Sequence, residues 1–368
     1  MPVRWLIVAL VLGSAGCGNY GPGDVALAIG SLGFLIVVHE GGHFFVARWC
    51  KMRIERFSIG FGPGILKWKS KTTRTTFQLA PIPFGGFVEI KGMNIAEEVD
   101  PEDRFAYPNR PAWQRFATIF AGPATNYLSA IVLAFLLYTC HGKETTHYHV
   151  DETIAGFDAH GKLAAGDHII AVDGVSMYAP SAVDLAEKVN AKGGAPIVLT
   201  VWRGISGFNV TIQPKIATSE QTGKPTYRLG ILQAPDIAKV GLGEAASSAL
   251  VYPIDQTRVI GAGLYDIVFG SAKADPGGPK RIVEEFSKAF SNGWVTGIKL
   301  LMVLSVYLGM FNLFPLPALD GGRLVFLIYE MVTRRRANPK IEATVHMAGI
   351  MVLGVVMILV TLHDFHVI

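Results

Sequence analysis

Two histidines four residues apart, with a glutamate beside the first, sit inside the apolar run VVHEGGHFF: His39, Glu40, Gly41, Gly42 and His43. On a helix, positions four apart share a face, so both imidazoles can converge on one divalent ion at about 2.0–2.1 Å. Glu40 is turned by about 100° from His39 and reaches a water on that ion rather than the ion itself. A zinc ion so held makes a nucleophile of water near neutral pH, and a carboxylate beside it moves the proton, which is the chemistry of peptide hydrolysis. Ionisable groups at membrane depth are costly, so a triplet of them inside an apolar run marks a functional site.

Hydrolytic zinc needs a third protein ligand and one open position. Asp320, in FNLFPLPALDGGR at residues 311–323, is the candidate. Pro315 and Pro317 must break the apolar run that precedes it, and Gly321 and Gly322 permit an unusual turn. Irregular backbone at that depth is tolerated only where it lines protein or a water-filled cavity. The other use for such an aspartate is a helix cap at the membrane surface. Asn126, in AGPATN, reads as a helix-packing residue. His141, His147 and His149 form a competing histidine group at an outer loop boundary, but without a general base at a fitting spacing they read as a solvated loop.

The elements that must position these residues follow from hydropathy. Half of the 368 residues are apolar and 17% are charged, which points away from a soluble globular chain. Four runs are long enough to cross a bilayer: residues 25–47, 116–138, 295–314 and 345–362. Lys and Arg concentrate in the connection 48–115 and at 334–340, so both are expected on the cytoplasmic side. The segment between spans two and three, and both termini, then lie outside. The net charge of +4 is spread over these connections with no RNA-binding pattern, so a lipid bilayer rather than nucleic acid is the expected partner. Cys17, Cys50 and Cys140 share no spacing and imply no disulfide framework. Residues 1–24 read as a lead-in to the first span, or as a signal-like segment with a faint lipoprotein box at Cys17.

Residues 55–92 carry short β-type runs broken by Gly and Pro, read as hairpin strands at the cytoplasmic interface. Residues 149–234 change character again. Leu163, Gly166, Asp167 and Gly174 fall in a turn pattern that resembles a PDZ domain of the kind found in bacterial proteases. Residues 241–292 read as amphipathic helix, interrupted at ADPGGPK and lying along the outer face.

HEGGH, PFGGFVEIKG, AGPATN, the PDZ-like insert and NLFPLPALDGG occur in the order of the site-2 protease family of intramembrane zinc metalloproteases, and the chain most closely resembles the bacterial regulator-of-sigma-E type. This resemblance implies His39, His43 and Asp320 as zinc ligands, Glu40 as general acid and base, and Asn312 as a residue holding the substrate or its transition-state oxygen. Its implied substrates are single-span regulators such as an anti-sigma factor already cut outside the membrane, and remnant signal peptides, in the bacterial inner membrane. Position 41 departs from the family, where a bulky apolar residue is usual. Two adjacent glycines weaken a helix by about 1 kcal/mol each relative to Ala, and permit close approach of another backbone.

The expected fold is therefore an α-helical polytopic membrane protein of about four transmembrane helices, with a membrane-associated β-hairpin region and an extracytoplasmic PDZ-like α+β domain. Its parts are the lead-in 1–24, spans one and two with the strands at 25–140, the PDZ-like domain at 141–235, the amphipathic segment at 236–292, and spans three and four at 293–368. A metal transporter would use the same histidines but would show internal repeats. A membrane scaffold built on the PDZ-like module would not need Glu40.

Overall fold

The computed structural model describes residues 21–94, 97–177, 185–218, 225–270 and 277–364. Most of the lead-in and the first three residues of ADPGGPK lie outside them. The chain divides into two compact units, Met1–Leu137 with Leu242–Ile368, and Tyr138–Gly241.

Among the described residues of the first unit, four helices are long and apolar enough to cross a membrane. They are α1 (Pro22–Trp49), α2 (Ala112–Cys140), α6 (Trp294–Leu313) and α8 (Pro339–Asp364); α1, α2 and α8 extend a few residues beyond the runs seen in the sequence, and α6 is shifted from its run by one residue. Pro22 opens α1, where its missing N–H costs nothing, and the Asp24 carboxylate accepts from Gly21 N–H at 3.1 Å. The break after α6 falls where the two prolines require it, with Phe314 extended. A helix not anticipated, α7 (Asp320–Thr333), then starts on Asp320 itself.

Between α1 and α2 lie β1 (Ile54–Phe61), β2 (Leu66–Lys69), β3 (Thr76–Leu79) and β4 (Ile82–Ile90). They form one sheet in the order β2-β3-β1-β4. β2 and β3 form a hairpin as expected, but the rest is not a chain of hairpins: β1 pairs in parallel with β3 and antiparallel with β4, so it lies between two strands that follow it at a distance in sequence. β4 is an edge strand.

The segment expected to lie along an outer face forms α4 (Leu242–Phe269) and α5 (Pro279–Ser291). α5 is amphipathic as expected, with Arg281, Glu285 and Lys288 exposed, but its apolar face is docked on the long helices. Phe286 is fully buried and clusters with Ala28 and Leu35 of α1 and Leu301 of α6. Its apolar stripe is long enough to dock on spans, and burying one such side chain is worth about 1.5–3 kcal/mol.

The second unit is β-rich. A mixed-order sheet runs β12-β5-β6-β8-β9, with β5 (Lys143–Thr153), β6 (His168–Val172), β8 (Ile197–Arg203), β9 (Ser206–Ile212) and β12 (Ile231–Ala238). The short β7 (Val175–Ser176) pairs with β6 across Asp173 and Gly174, both at positive φ, as a two-residue hairpin demands. The strands β10 (Lys215–Thr218) and β11 (Pro225–Arg228) pair separately, and α3 (Leu185–Ala191) is a short helix. Val150, Leu163, Ile169, Val172, Ile197, Leu199 and Val201 make its core. The turn residues noted in the sequence each have a task. Leu163 is in that core and Gly166 takes φ +87. The fully buried Asp167 carboxylate accepts from Arg203 Nε at 2.6 Å and from Ala164 N–H at 2.9 Å. Burial alone would raise the Asp167 carboxyl; the Arg203 guanidinium and the Ala164 N–H overcome it and hold it below the usual carboxylate range.

Candidate metal centre

His39 and His43 stand one turn apart on α1, and the break after α6 turns the chain so that Asp320 meets them. Asp320 Oδ2 lies 3.1 Å from His39 Nε2 and 3.3 Å from His43 Nε2, and the two Nε2 atoms are 3.3 Å apart. The three donors form a nearly equilateral triangle. Two ligands held at about 2.0–2.1 Å on tetrahedral directions are themselves about 3.3 Å apart, so the triangle has the size of three sides of a zinc site.

Each ring is held by its other nitrogen. His43 Nδ1 donates to the Thr118 carbonyl at 2.8 Å, which leaves Nε2 as a lone pair facing the triangle. His39 Nδ1 contacts the Asn126 side-chain amide at 2.9 Å, and the Asn126 Oδ1 is left without a partner. Exchanging the amide O and N, which have nearly the same shape, places Oδ1 on the His39 Nδ1–H and satisfies both groups. Asp320 Oδ2 is buried and accepts no hydrogen bond, although it faces both rings. A buried carboxylate oxygen without a donor costs more than any surface group, and a divalent ion at the centre of the triangle removes that cost. The donor set of two imidazoles and one carboxylate suits zinc and leaves a fourth position open.

The motif AGPATN builds the wall behind this site. A Cβ at Gly122 would fall on His43 Nε2 and His39 Cε1, so glycine lets α2 lie flush against both imidazoles. Thr125 Oγ1 donates to the Val38 carbonyl at 2.9 Å, tying the two helices. Asn126 also packs as expected, its carbonyl accepting from Ser305 Oγ of α6 at 3.0 Å, but its side chain is turned to His39. The packing reading of that side chain is thereby corrected. A Cβ at Gly42 would meet the Ala121 carbonyl and Thr125 Oγ1, whereas one at Gly41 meets only the Phe45 ring at 3.9 Å. Only the second glycine serves close approach.

Asp320 is presented by a strained loop. Ala318 takes φ +78, a conformation that an L-residue with Cβ adopts at a cost. Its N–H donates to His346 Nδ1 of α8 at 3.3 Å. A Cβ at Gly321 would strike the Phe314 and Leu313 carbonyls, and one at Gly322 the Leu316 carbonyl, so both glycines are needed for α7 to fold back on the loop. Asp320 is the first residue of α7 with Leu319 as its cap, and Asp320 Oδ2 caps nothing.

The triangle opens on a cavity of about 710 Å³ lined also by Glu40, Gly86, Val88, Asn312 and His346. Gly86 of β4 lies against Glu40; a Cβ there would meet its Cγ, Ser58 O and Ile36 Cγ2. Asn312 donates one amide hydrogen to Leu308 O at 2.9 Å. His39, Glu40, His43, Asn312 and Asp320, the residues the family resemblance implied for the site, thus line one cavity. His346 was missed because a lone histidine in an apolar span carries no spacing signal. Asn126 could have been read from Gly122, Thr125 and Asn126 falling on one helix face at i, i+3 and i+4.

Of the second histidine group, His147 and His149 lie on β5 rather than in a loop. Among the described residues the metal-compatible set in the β-rich unit joins His149 to His168 and Asp236, because strand order rather than sequence proximity brings them together.

Comparison with known proteins adds family evidence. The model of peptidase family M50 matches residues 27–356. A protein of Rickettsia conorii named "Putative zinc metalloprotease" is 30% identical over 348 residues, covering 91% of this chain and 96% of that protein. One of Fusobacterium nucleatum with the same description is 31% identical over 348 residues, covering 92% and 97%. The crystal structure of the PDZ domain of an SdrC-like protein from Listeria innocua aligns with 26% of this chain and 99% of that one, at 21% identity and a TM-score of 0.21.

Proposed function

We propose how this chain works from one premise: it belongs to peptidase family M50, the site-2 protease family, and is a multi-pass membrane zinc metalloprotease that cuts peptide bonds within membrane segments of other proteins. The observation that carries the residue assignment is the triangle of His39 Nε2, His43 Nε2 and Asp320 Oδ2, with its orphaned carboxylate oxygen. Those three residues hold the metal. Bound there, zinc supplies a Lewis acid for the scissile carbonyl and lowers the pKa of water at the open position.

Glu40 is the proton carrier. Its carboxylate takes a proton from the attacking water and returns it to the leaving nitrogen, and its placement against Gly86 keeps it beside the triangle. Asn312 has a second amide hydrogen beyond the one given to Leu308, and that hydrogen is the donor offered to the carbonyl oxygen as charge develops on it. Asn126 and Thr118 position the imidazoles, and His346 positions the loop that carries Asp320.

A helical substrate hides its peptide bonds, so a stretch of it must unwind. β4 is an edge strand with Gly86, Phe87 and Val88 on the cavity, which supports its receiving the unwound stretch by strand addition. The basic connections 48–115 and 334–340 face the cytoplasm and the β-rich unit lies outside, in the inner membrane of a bacterium. There the PDZ-like unit excludes substrates with bulky outer domains, so the enzyme acts on trimmed single-span regulators such as an anti-sigma factor and on remnant signal peptides.

Co-expression with a truncated single-span substrate tests this. Wild type should cut within the apolar span, and Glu40→Gln should lose cutting by about 10²–10⁴-fold while keeping its zinc. Equal cutting by both would refute the assignment of Glu40.

A further inference from the structure

Three adjacent strands of the β-rich unit each contribute one potential ligand to a single point. His149 of β5 and His168 of β6 are directly opposite one another in the ladder. Asp236 of β12 sits where the β12–β5 ladder jumps from Pro235 opposite Tyr148 to Ile237 opposite Glu144. Proline offers no N–H to the ladder, and the irregularity frees Asp236 to aim its carboxylate across β5. His149 Nδ1 lies 2.7 Å from Asp236 Oδ1, and His168 Nε2 lies 3.0 Å from Asp236 Oδ2. All three ligand atoms fall within 4.8 Å of one another. The side chains are 28%, 39% and 28% exposed, so solvent and ions reach them, unlike the buried triangle.

We propose that His149, His168 and Asp236 form a second metal site, distinct from the catalytic one, that takes a divalent transition-metal ion such as zinc. Two imidazoles and a carboxylate are the donors that suit zinc and its neighbours, and water completes the shell on the exposed side. The site has a structural consequence that follows from chain order. β5 begins three residues after α2 ends, and β12 ends four residues before α4 begins. An ion on β5, β6 and β12 therefore staples the strand on which the chain enters the unit to the strand on which it leaves. Metal binding then orders the base of the unit without taking part in hydrolysis.

Metal content separates this site from the catalytic one. Full-length protein in detergent is equilibrated with zinc at fixed free concentration, and bound zinc is counted by mass spectrometry. Wild type should hold about two equivalents, and Asp236→Asn and the double variant His39→Ala/His43→Ala about one each. A wild type holding about one equivalent that Asp236→Asn leaves unchanged overturns the second site. If the double variant holds as much zinc as wild type, the buried triangle fails as a metal site while this one stands. His149→Gln is the second variant, should Asp236→Asn disturb the sheet. Hydrogen exchange gives an independent readout: zinc should slow exchange of the β5 and β12 amides in wild type and in His39→Ala/His43→Ala, but not in His149→Gln. Zinc-independent exchange in all three refutes the staple.

Discussion

The two His-His-Asp groups of this chain contain the same side chains in opposite settings. In the buried triangle the rings' outer nitrogens are engaged by Thr118 and Asn126, and the inner ones point at a carboxylate oxygen that receives no hydrogen bond. On the sheet, the nitrogens a metal would take contact Asp236, and the carboxylate is already satisfied. The first group is preorganised for an ion and left in deficit without one. The second is content without an ion and open to one. Composition alone does not distinguish them; burial and the direction of the other ring nitrogen do.

The sharpest way to break this comparison is to neutralise each aspartate in turn. Asp320→Asn should empty the buried triangle and abolish cleavage, whereas Asp236→Asn should leave cleavage of a trimmed substrate within about twofold, both read by substrate processing and zinc content. Next in size is the outer contact. Asn126→Ala removes the acceptor for His39 Nδ1–H and should weaken zinc binding about 10–100-fold, measured by competition with a chelator, with helix content unchanged. The tight crossing of α1 and α2 gives a third contrast. Gly42→Ala pushes a methyl into the Ala121 carbonyl and should cost about 1–3 kcal/mol with loss of metal, whereas Gly41→Ala should stabilise α1 by about 1 kcal/mol and spare activity.

The smallest effect concerns the β-rich unit alone. Asp167 has its carboxyl held down, so it contributes stability above the ordinary carboxylate pKa that is lost as pH falls through the lowered value. Acid denaturation of that unit, followed by exchange of β6 and β8 amides, should show this loss in wild type and a flatter acid limb in Asp167→Asn.

Much of the catalytic region was legible in the sequence because its signals are local. HEGGH gives one helix face, two prolines fix where α6 must stop, and hydropathy marks the four long helices. What was not legible depended on contacts between distant segments. Strand order decided that β1 pairs with β3 in parallel and that His149 meets His168 and Asp236; period-two patterns specify a strand but not its neighbours. Asn126 looks the same in sequence whether its amide packs a helix or holds a ring. α5 reads as an amphipathic helix, but nothing in its sequence says that Phe286 docks on α1 and α6.

The most direct test of the buried metal centre is zinc-edge X-ray absorption on zinc-loaded Asp236→Asn protein, in which the sheet site is disabled. The spectrum should show two nitrogen and at least one oxygen ligands at about 2.0–2.1 Å, with the histidine signature lost together with the zinc in His39→Ala/His43→Ala. Zinc surrounded by oxygen alone, or retained undiminished without those histidines, would contradict a metal centre there.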